Sequence, residues 1–396
     1  MNGFVFHAPT EMVFGKDTET KAGELVKKYG GSKVLLHYGK GSVVKSGLLD
    51  RVKASLDRAG VPYAELGGVQ PNPLLSLVLE GVELCKKEGV DFILAVGGGS
   101  AIDSAKGIAV GLANPQDDVW DYYLGKTVPK CAPVGCILTL AATGSEMSNS
   151  SVVTKDEGHI KRSIDQDIIR PRFSIMNPEL TFTLPKYQIA CGVADIMMHT
   201  MERYLGSGHG NELSDRIAEQ VIRNTVRYGP QQLADPADYK AASEIMWSGS
   251  VSHNGMTGLG NDGGDWATHL LGHELSAKFG AAHGATLTAV WGSWARYVCK
   301  DVKALRFAQY ACKVWDCEMD YGHPEKTALE GIEKTEAFFA SIGMPVNLSA
   351  LVGRVLTDEE IQSMADLCIS LGRTSIGNTM QLFKEDVVAI YRAANT

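Results

Sequence analysis

The sequence lacks the features that mark several common classes of protein. Its eight cysteines are scattered, with no pair spaced as CxxC, so neither a disulfide scaffold nor a cysteine-built metal site is indicated. No apolar run is long enough to cross a bilayer, and the N-terminal segment has neither the basic nor the apolar stretch of a secretory signal. We therefore expect a cytoplasmic protein without a membrane partner.

An excess of positive charge is missing as well. The formal net charge is −8, whereas proteins that bind nucleic acid usually concentrate Lys and Arg on one face, so no nucleic-acid partner is expected. Hydrophobic residues make up 44% of the chain and charged residues 21%, which is typical of a globular protein. With 396 residues the chain is long enough for two domains.

The spacing of apolar residues along the sequence changes near residue 184. Before that point, short apolar or β-branched runs, clearest at 33–37, 91–96 and 134–139, alternate with helix-like stretches. Such alternation is typical of βαβ units and of a mostly parallel sheet buried on both faces. After it, apolar residues recur at helical spacing. We predict an α/β domain over residues 1–184 and an all-α domain over residues 185–396.

A glycine-rich segment directly follows the run at 91–96. Gly97, Gly98, Gly99 and Ser100 lead from this strand-like run into a helical stretch that contains Asp103. A backbone without side chains can approach a pyrophosphate closely, and the first amides and the dipole of a helix attract the anion. The segment is neither the usual GxGxxG fingerprint nor a Walker loop, so an ordinary tight turn is the alternative interpretation.

Two further junctions between strand-like and helical stretches carry small or hydroxyl residues. The segment Gly39-Lys40-Gly41-Ser42 follows the first run, and the segment 141–146 follows the run at 134–139. In a parallel sheet such junctions meet at the carboxyl ends of the strands, where ligands bind. Together the three junctions predict a dinucleotide crevice, although each one alone is equally consistent with a turn chosen for its backbone shape.

The helical part carries a carboxylate and four imidazoles at spacings that suit a metal site. Asp195 and His199 are four residues apart, so both point from one face of a helix towards one cation. His269 and His273 are one turn apart, and His283 lies between two glycine-containing segments. A straight helix would separate residues 269 and 283 by roughly 21 Å, so the helix must break for His283 to join the site. Spacing alone does not decide whether His269 or His273 joins it.

A single histidine is more often a structural residue than a ligand. Four of the ten histidines in the chain, grouped with an aspartate in two glycine-punctuated segments, favour the metal interpretation. The remaining six are interpreted as structural: His7, His37, His159, His209, His253 and His323.

Taken together, these segments resemble the iron-dependent (group III) alcohol dehydrogenase family, and within it the butanol dehydrogenase and NADPH-dependent aldehyde reductase branch. The resemblance covers nearly the whole chain and is most specific at 97–103, 142–146, 192–199, 265–274 and 282–284. It implies a dehydroquinate synthase-like architecture: an α/β N-terminal dinucleotide-binding domain, an all-α C-terminal domain and a metal in the cleft between them. It also implies a homodimer.

The resemblance assigns roles to individual residues. One divalent metal, expected to be Fe²⁺ with Zn²⁺, Ni²⁺ and Mn²⁺ left open, would be held by Asp195, His199, His269 and His283. His273 would lie beside the nicotinamide and either relay a proton or pack against the ring. The residues expected to bind the dinucleotide are Gly39, Lys40, Gly41, Ser42, Asn72, Gly97, Gly98, Gly99, Ser100, Asp103, Thr139, Thr143, Ser145, Lys161 and Leu180.

One departure from the family pattern bears on the choice of cofactor. Relatives that prefer NAD tend to carry an acidic residue just after the first strand, where it binds the ribose hydroxyls. The segment 38–42 of this chain has none. A carboxylate would repel a 2′-phosphate, whereas Lys40 and Ser42 could bind one, so we predict NADP(H) in preference to NAD(H).

The sequence therefore predicts an enzyme that interconverts small primary alcohols and aldehydes by hydride transfer, with a metal polarising the substrate oxygen. Two other functions stay open. A sugar-phosphate cyclase similar to dehydroquinate synthase would need several basic residues around the metal, where the flanking segments supply mainly Lys278. A non-catalytic protein that binds a dinucleotide or a metal would show no net change of nicotinamide absorbance.

Overall fold

The computed structural model describes residues 2–206, 211–300, 303–370 and 372–396, which form two compact units. The sheet unit comprises His7–Leu184 and Pro236–Met246, and the helical unit comprises Met1–Phe6, Pro185–Asp235 and Trp247–Thr396. The units depart from the two expected domains in two short segments, 1–6 and 236–246. Asn2 N–H donates to the Gly260 carbonyl at 3.1 Å, and Lys16 Nζ lies 4.9 Å from the Tyr239 ring centre. His209 lies outside the described residues.

The described part of the sheet unit contains eight strands. They are β1 (Glu11–Phe14), β2 (Val34–Gly39), β3 (Tyr63–Val69), β4 (Phe92–Gly97), β5 (Val134–Leu138), β6 (Ser150–Lys155), β7 (Ile160–Asp165) and β8 (Phe173–Met176). Six of them form one parallel sheet in the order β1-β8-β5-β4-β2-β3. Every residue of β4 and β5 is buried, as expected for central strands covered on both faces.

The helices of the sheet unit connect and cover these strands. They are α1 (Ala22–Lys28), α2 (Ser42–Lys45), α3 (Leu48–Ala59), α4 (Leu75–Glu88), α5 (Gly99–Ala113) and α6 (Val119–Tyr123). The chain leaves β2 towards β3 and leaves β4 in the opposite direction, towards β5. The gap between the carboxyl ends of β2 and β4 is therefore a topological switch point, where open α/β sheets bind their ligands.

The strands β6 and β7 form a separate antiparallel hairpin that the sequence analysis did not predict. Its register pairs Ser150 with Asp165 and Lys155 with Ile160, and the turn contains Gly158 at φ 74°. The segment has no clear alternation of apolar and polar residues. Two of its buried residues, Lys161 and Arg162, are charged, and burial of such residues gives no hydrophobic signal in a sequence.

The helical unit is built from ten helices among the described residues, one of which begins in the sheet unit. They are α7 (Lys186–Tyr204), α8 (Glu212–Ala234), α9 (Tyr239–His253), α10 (Ala267–Phe279), α11 (His283–Val298), α12 (Ala304–Trp315), α13 (Pro324–Ser341), α14 (Leu348–Val352), α15 (Asp358–Cys368) and α16 (Lys384–Ala394). Each described helix is too short or too polar to span a bilayer. The parallel sheet and the helical unit confirm the predicted fold class.

Helix α7 is the central element of the helical unit. Of its 19 residues 15 are buried, which is the pattern of a helix surrounded by protein. The buried set includes the polar side chains of Asp195, His199 and Glu202. Since a buried polar group is costly unless it is paired, these side chains must be satisfied by neighbouring helices or by a ligand.

Candidate metal centre and dinucleotide crevice

Two of the predicted phosphate-binding loops flank the switch point of the sheet. The loop 39–42 follows β2, and the loop 97–100 follows β4. Helix α5 begins at Gly99, and no side chain caps its N-terminus. Its first backbone N–H groups therefore remain available to an anion at the position where the sheet directs a ligand.

Close approach of the segment after β5 limits the side chains that the loop after β4 can carry. A Cβ atom on Gly99 would lie 2.3 Å from Thr143 Oγ1, and one on Gly98 would lie 3.1 Å from Leu140 Cβ. Gly98 itself has φ −86° and ψ −168°, a conformation open to other residues. At Gly99 glycine is thus needed because the segment after β5 packs against the loop, whereas a side chain at Gly98 would require Leu140 to shift by a few tenths of an ångström.

Asp103 and Ser145, both predicted to bind the dinucleotide, are bonded to one another. Ser145 Oγ–H donates to Asp103 Oδ1 at 2.6 Å, and Val152 N–H donates to Asp103 Oδ2 at 3.1 Å. Burial raises the pKa of Asp103, and the nearby charge of Lys106 opposes that effect. These hydrogen bonds join α5 to the segment that follows β5. Contact of Asp103 or Ser145 with a dinucleotide stays a prediction.

Lys106 is a residue of this region that the sequence analysis missed. Its ammonium group is fully buried and lies within 2.7–3.3 Å of five oxygens, namely the carbonyls of Ser145, Ser148 and Ser150 and the hydroxyls of Ser145 and Ser148. Burial lowers the pKa of Lys106 to about 8, against the raising effect of Asp103. The sequence does contain an indication of this role, because Lys106 is the only basic residue in a helix of mostly small and apolar residues. Lys106 holds the segment 145–150 against α5.

The other predicted dinucleotide residues lie at the same edge of the sheet. Lys161 Nζ donates to Asn72 Oδ1 at 2.9 Å, which brings together two residues from distant segments. Thr139 follows β5 directly, and its N–H donates to the Gly97 carbonyl at 3.0 Å. Leu180 lies in a 3₁₀ turn just after β8 and packs against the core of the unit.

In the helical unit, side chains from three helices meet and form what we call the histidine cluster: Asp195, His199, His269 and His283. One side-chain ligand atom from each of Asp195, His199 and His269 lies within 4.8 Å of the other two. Asp195 Oδ1 lies 3.5 Å from His199 Nδ1 and 3.9 Å from the Nε2 atoms of both His269 and His283. Three imidazoles therefore surround one carboxylate oxygen.

The chain reverses direction between α10 and α11, and this brings His283 into the cluster. Helix α10 ends at Phe279, Gly280 adopts the left-handed conformation at φ 65°, and α11 begins at His283. The ring centres of His269 and His283 lie 5.4 Å apart. The break that the two glycine-containing segments predict is present.

The donor set of the cluster fits one divalent cation. Two ligands about 2.1 Å from a tetrahedral ion lie about 3.4 Å apart, close to the separations of 3.5–3.9 Å between Asp195 Oδ1 and the three imidazoles. The buried nitrogens His199 Nδ1 and His269 Nε2 have no hydrogen-bond partner among the described residues. Burial and the neighbouring His269 lower the pKa of His199, which keeps its imidazole neutral, the form that binds a metal.

The spacing of His269 and His273 left open which of the two joins the cluster. The structure brings His269 to Asp195, whereas the ring centre of His273 lies 5.3 Å from that of His283. His273 is buried at the border of the cluster. Its catalytic role stays a prediction.

Glu202 and His253 lie beside the cluster, and the sequence analysis predicted this position for neither. Glu202 accepts hydrogen bonds from His269, and the ring centre of His253 lies 4.1 Å from that of His199. Glu202 could have been found, because residues 195, 199 and 202 share one face of a helix. His253, interpreted as structural, gives no such signal, because it is remote from the other histidines in the sequence. Arg203, the basic side chain of this region, donates to the carbonyls of His199 and Ser252.

A parallel sheet with an uncapped helix at its switch point, together with helices that carry a buried carboxylate–imidazole cluster, points to a class: metal-dependent enzymes that use a dinucleotide. Two family models match this chain. The model described as iron-containing alcohol dehydrogenase matches residues 9–178, and the model described as Fe-containing alcohol dehydrogenase family, C-terminal, matches residues 188–395. The chain belongs to the iron-containing alcohol dehydrogenase family, which confirms the resemblance and makes it an oxidoreductase of that class.

Individual relatives match the chain along its whole length. The probable NADH-dependent butanol dehydrogenase 1 of Bacillus subtilis is 39% identical, with 100% of both chains covered. The NADPH-dependent aldehyde reductase YqhD of Escherichia coli is 34% identical, again with 100% of both covered. The crystal structure of NADH-dependent butanol dehydrogenase A from Thermotoga maritima superposes with a TM-score of 0.95 at 38% identity, covering 100% of this chain and 99% of the other.

Proposed function

We propose that this chain interconverts small primary alcohols and aldehydes by hydride transfer, with NADP(H) preferred over NAD(H) and one divalent metal required. The observation that carries the proposal is the approach of three imidazoles to a single oxygen of Asp195. The names of the relatives, butanol dehydrogenases and an aldehyde reductase, support the substrate class.

Asp195, His199, His269 and His283 are the residues that would hold the metal. When bound, a divalent ion supplies a Lewis acid that polarises the oxygen of an alcohol or carbonyl compound. We propose Fe²⁺ because the family is iron-containing. Nitrogen and oxygen ligands also suit Zn²⁺, Ni²⁺ and Mn²⁺, so metal supply influences which ion is found.

His273 is proposed to hold and relay the proton of the substrate hydroxyl. Imidazole changes its protonation state near neutral pH, and His273 is buried next to His283 without belonging to the cluster itself. The nicotinamide, when bound, accepts or donates the hydride. The N–H groups at the start of α5 are proposed to bind its pyrophosphate.

The preference for NADP(H) depends on the loop after β2. Lys40 and Ser42 are exposed at the carboxyl end of that strand, and the segment 38–42 contains no carboxylate. Lys40 Nζ lies 3.4 Å from Gln70 Oε1 and forms no ion pair among the described residues. A 2′-phosphate on the ribose would give this ammonium group an anionic partner. The relatives include proteins named for NADH and for NADPH, so the preference has to be measured.

A homodimer is proposed as the assembly. Strand β1 lies at the edge of the sheet with one neighbour, β8, and an open strand edge is a template for pairing with another chain. Phe4 and Val5, just before this strand in the sequence, are 49% and 93% exposed. A cytoplasmic location stays a prediction.

The proposal is tested with purified protein freed of metal and then reloaded with Fe²⁺, Zn²⁺, Ni²⁺ or Mn²⁺. We expect aldehydes such as butanal to oxidise NADPH, followed at the absorbance of the reduced nicotinamide, with activity abolished by a chelator and restored by metal. Protein that binds metal and NADPH but turns over no alcohol or aldehyde would contradict the proposal. Conversion of a sugar phosphate without net change of that absorbance would favour the cyclase instead.

A further inference from the structure

Glu202 lies three residues beyond His199 on α7, and its carboxylate is buried. Its two oxygens accept three hydrogen bonds from the start of α10. Oε1 accepts from the His269 backbone N–H at 3.0 Å and from His269 Nδ1 at 2.9 Å, and Oε2 accepts from the Trp266 N–H at 2.7 Å. One side chain of α7 thus binds both the backbone and the imidazole of a residue on α10.

This contact fixes where the proton of His269 resides. A carboxylate only accepts hydrogen bonds, so Nδ1 of His269 carries a proton, and in the neutral imidazole Nε2 then presents its lone pair. Nε2 is the atom that lies 3.9 Å from Asp195 Oδ1, within the cluster. A carboxylate on the far nitrogen also makes an imidazole a stronger donor to a metal.

The same carboxylate stabilises an unfavourable helix start. Trp266, the residue before α10, has φ 65°, an uncommon conformation for a bulky side chain, and it gives no side-chain cap. The N–H groups at a helix start have no partner within the helix. Glu202 satisfies two of them, and it thereby fixes His269 at the distance from Asp195 that the cluster needs.

We propose that Glu202 is a positioning residue of the metal centre: it sets the tautomer and the place of His269, so the affinity for the ion depends on a side chain outside the ligand set. The inference rests on the proposed metal site. Loss of an outer carboxylate of this kind weakens metal binding by roughly 10–100-fold.

The test compares two buried glutamates of the helical unit. Glu202→Gln removes the charge and retains the volume of the side chain. Glu219→Gln is the matched control. Glu219 is also buried, and its Oε1 accepts a hydrogen bond from Tyr204 Oη–H at 2.9 Å. Tyr204 is on α7 but does not belong to the cluster. Zn²⁺ affinity is measured by competition with a chromogenic chelator, and the thermal midpoint is measured on metal-free protein.

We expect Glu202→Gln to weaken Zn²⁺ binding by roughly 10–100-fold and Glu219→Gln to leave it within about twofold, while both lower the thermal midpoint of the metal-free protein. Zn²⁺ affinity unchanged in Glu202→Gln with a lowered midpoint would mean that the carboxylate serves only the helix start, and would overturn the proposal. Wild-type protein that binds no Zn²⁺ would instead refute the metal site itself.

A measurement on the wild-type protein decides the question even if Glu202→Gln does not fold. In metal-free protein labelled with ¹⁵N at histidine, long-range proton–nitrogen spectra report which ring nitrogen carries the proton. We expect His269 to be the Nδ1–H tautomer. A neutral His269 ring whose only proton is on Nε2 would overturn the proposal.

Discussion

The glycine loop of the sheet unit and the histidine cluster of the helical unit are built in opposite ways. The loop offers main-chain N–H groups, and its position follows from strand order and from the absence of side chains at Gly98 and Gly99. The cluster offers side chains from three helices. In both regions, however, buried charged side chains join separate segments: Asp103 and Lys106 join α5 to the segment after β5, and Glu202 joins α7 to the start of α10. A contiguous backbone site can be found in a sequence as a motif, whereas an assembled side-chain site depends on residues outside any motif.

Removing a ligand should affect the cluster alone. We expect His269→Ala to lose its metal and to lower kcat/KM by roughly 10³-fold or more, because the Lewis acid goes with the metal. NADPH binding should be retained, since the loop is in the other unit. The measurements are metal content, turnover and NADPH titration, with the exposed His323→Ala as control. Full activity of a metal-free His269→Ala protein would refute the ligand assignment.

Removing the buried lysine should affect the loop region alone. Lys106→Met leaves five oxygens and the carboxylate of Asp103 without their cation, and breaking a buried pair in this way costs about 3–5 kcal/mol. We expect lowered thermal stability and faster hydrogen exchange in residues 145–150, with Zn²⁺ affinity unchanged. The exposed Lys126→Met, which removes an ion pair with Asp117, should cost at most about 1 kcal/mol. Wild-type stability of Lys106→Met would contradict this account.

The substitution His273→Ala tests whether His273, beside the cluster, relays the substrate proton. We expect the metal to stay bound and kcat to fall roughly 10²-fold, because a relay of the substrate proton is lost. We also expect the pH profile of kcat to contain an ionisation near neutrality in the wild type that is absent from His273→Ala. If the rate falls while the pH profile keeps its shape, His273 only packs against the nicotinamide.

The smallest expected effect is that of a substitution at Lys40, in the loop proposed to bind the 2′-phosphate of NADPH. Lys40→Ala should raise KM for NADPH about tenfold, since a hydrogen bond to a charged group contributes roughly 1.5–3 kcal/mol, and should leave KM for NADH unchanged. Steady-state kinetics with both cofactors measure the difference. Equal changes for the two cofactors would show that Lys40 does not distinguish them.

The sequence alone predicted the fold class, because buried parallel strands and helices leave different hydrophobic periods. It also predicted the break after Phe279, because Gly280 and Gly284 flank the histidine that has to turn back. It missed the β6–β7 hairpin, whose buried Lys161 and Arg162 give no apolar signal.

The candidate site could be predicted only in part. Residues 195 and 199 share a helix face, so their pairing follows from spacing, but the choice between His269 and His273 required the resemblance to a family. Lys106 and Glu202 are charged residues in largely buried helices, and their partners lie on other elements. Such pairing depends on how distant elements pack in the tertiary structure. The spacing of residues along the sequence does not reveal it.

The most direct test of the central claim is an anomalous-diffraction measurement at the absorption edge of the bound metal, on crystals of active enzyme. The account predicts one peak about 2.0–2.2 Å from Asp195 and from the imidazoles of His199, His269 and His283. Fully active crystals with no peak there, or with the metal held by other residues, would contradict it.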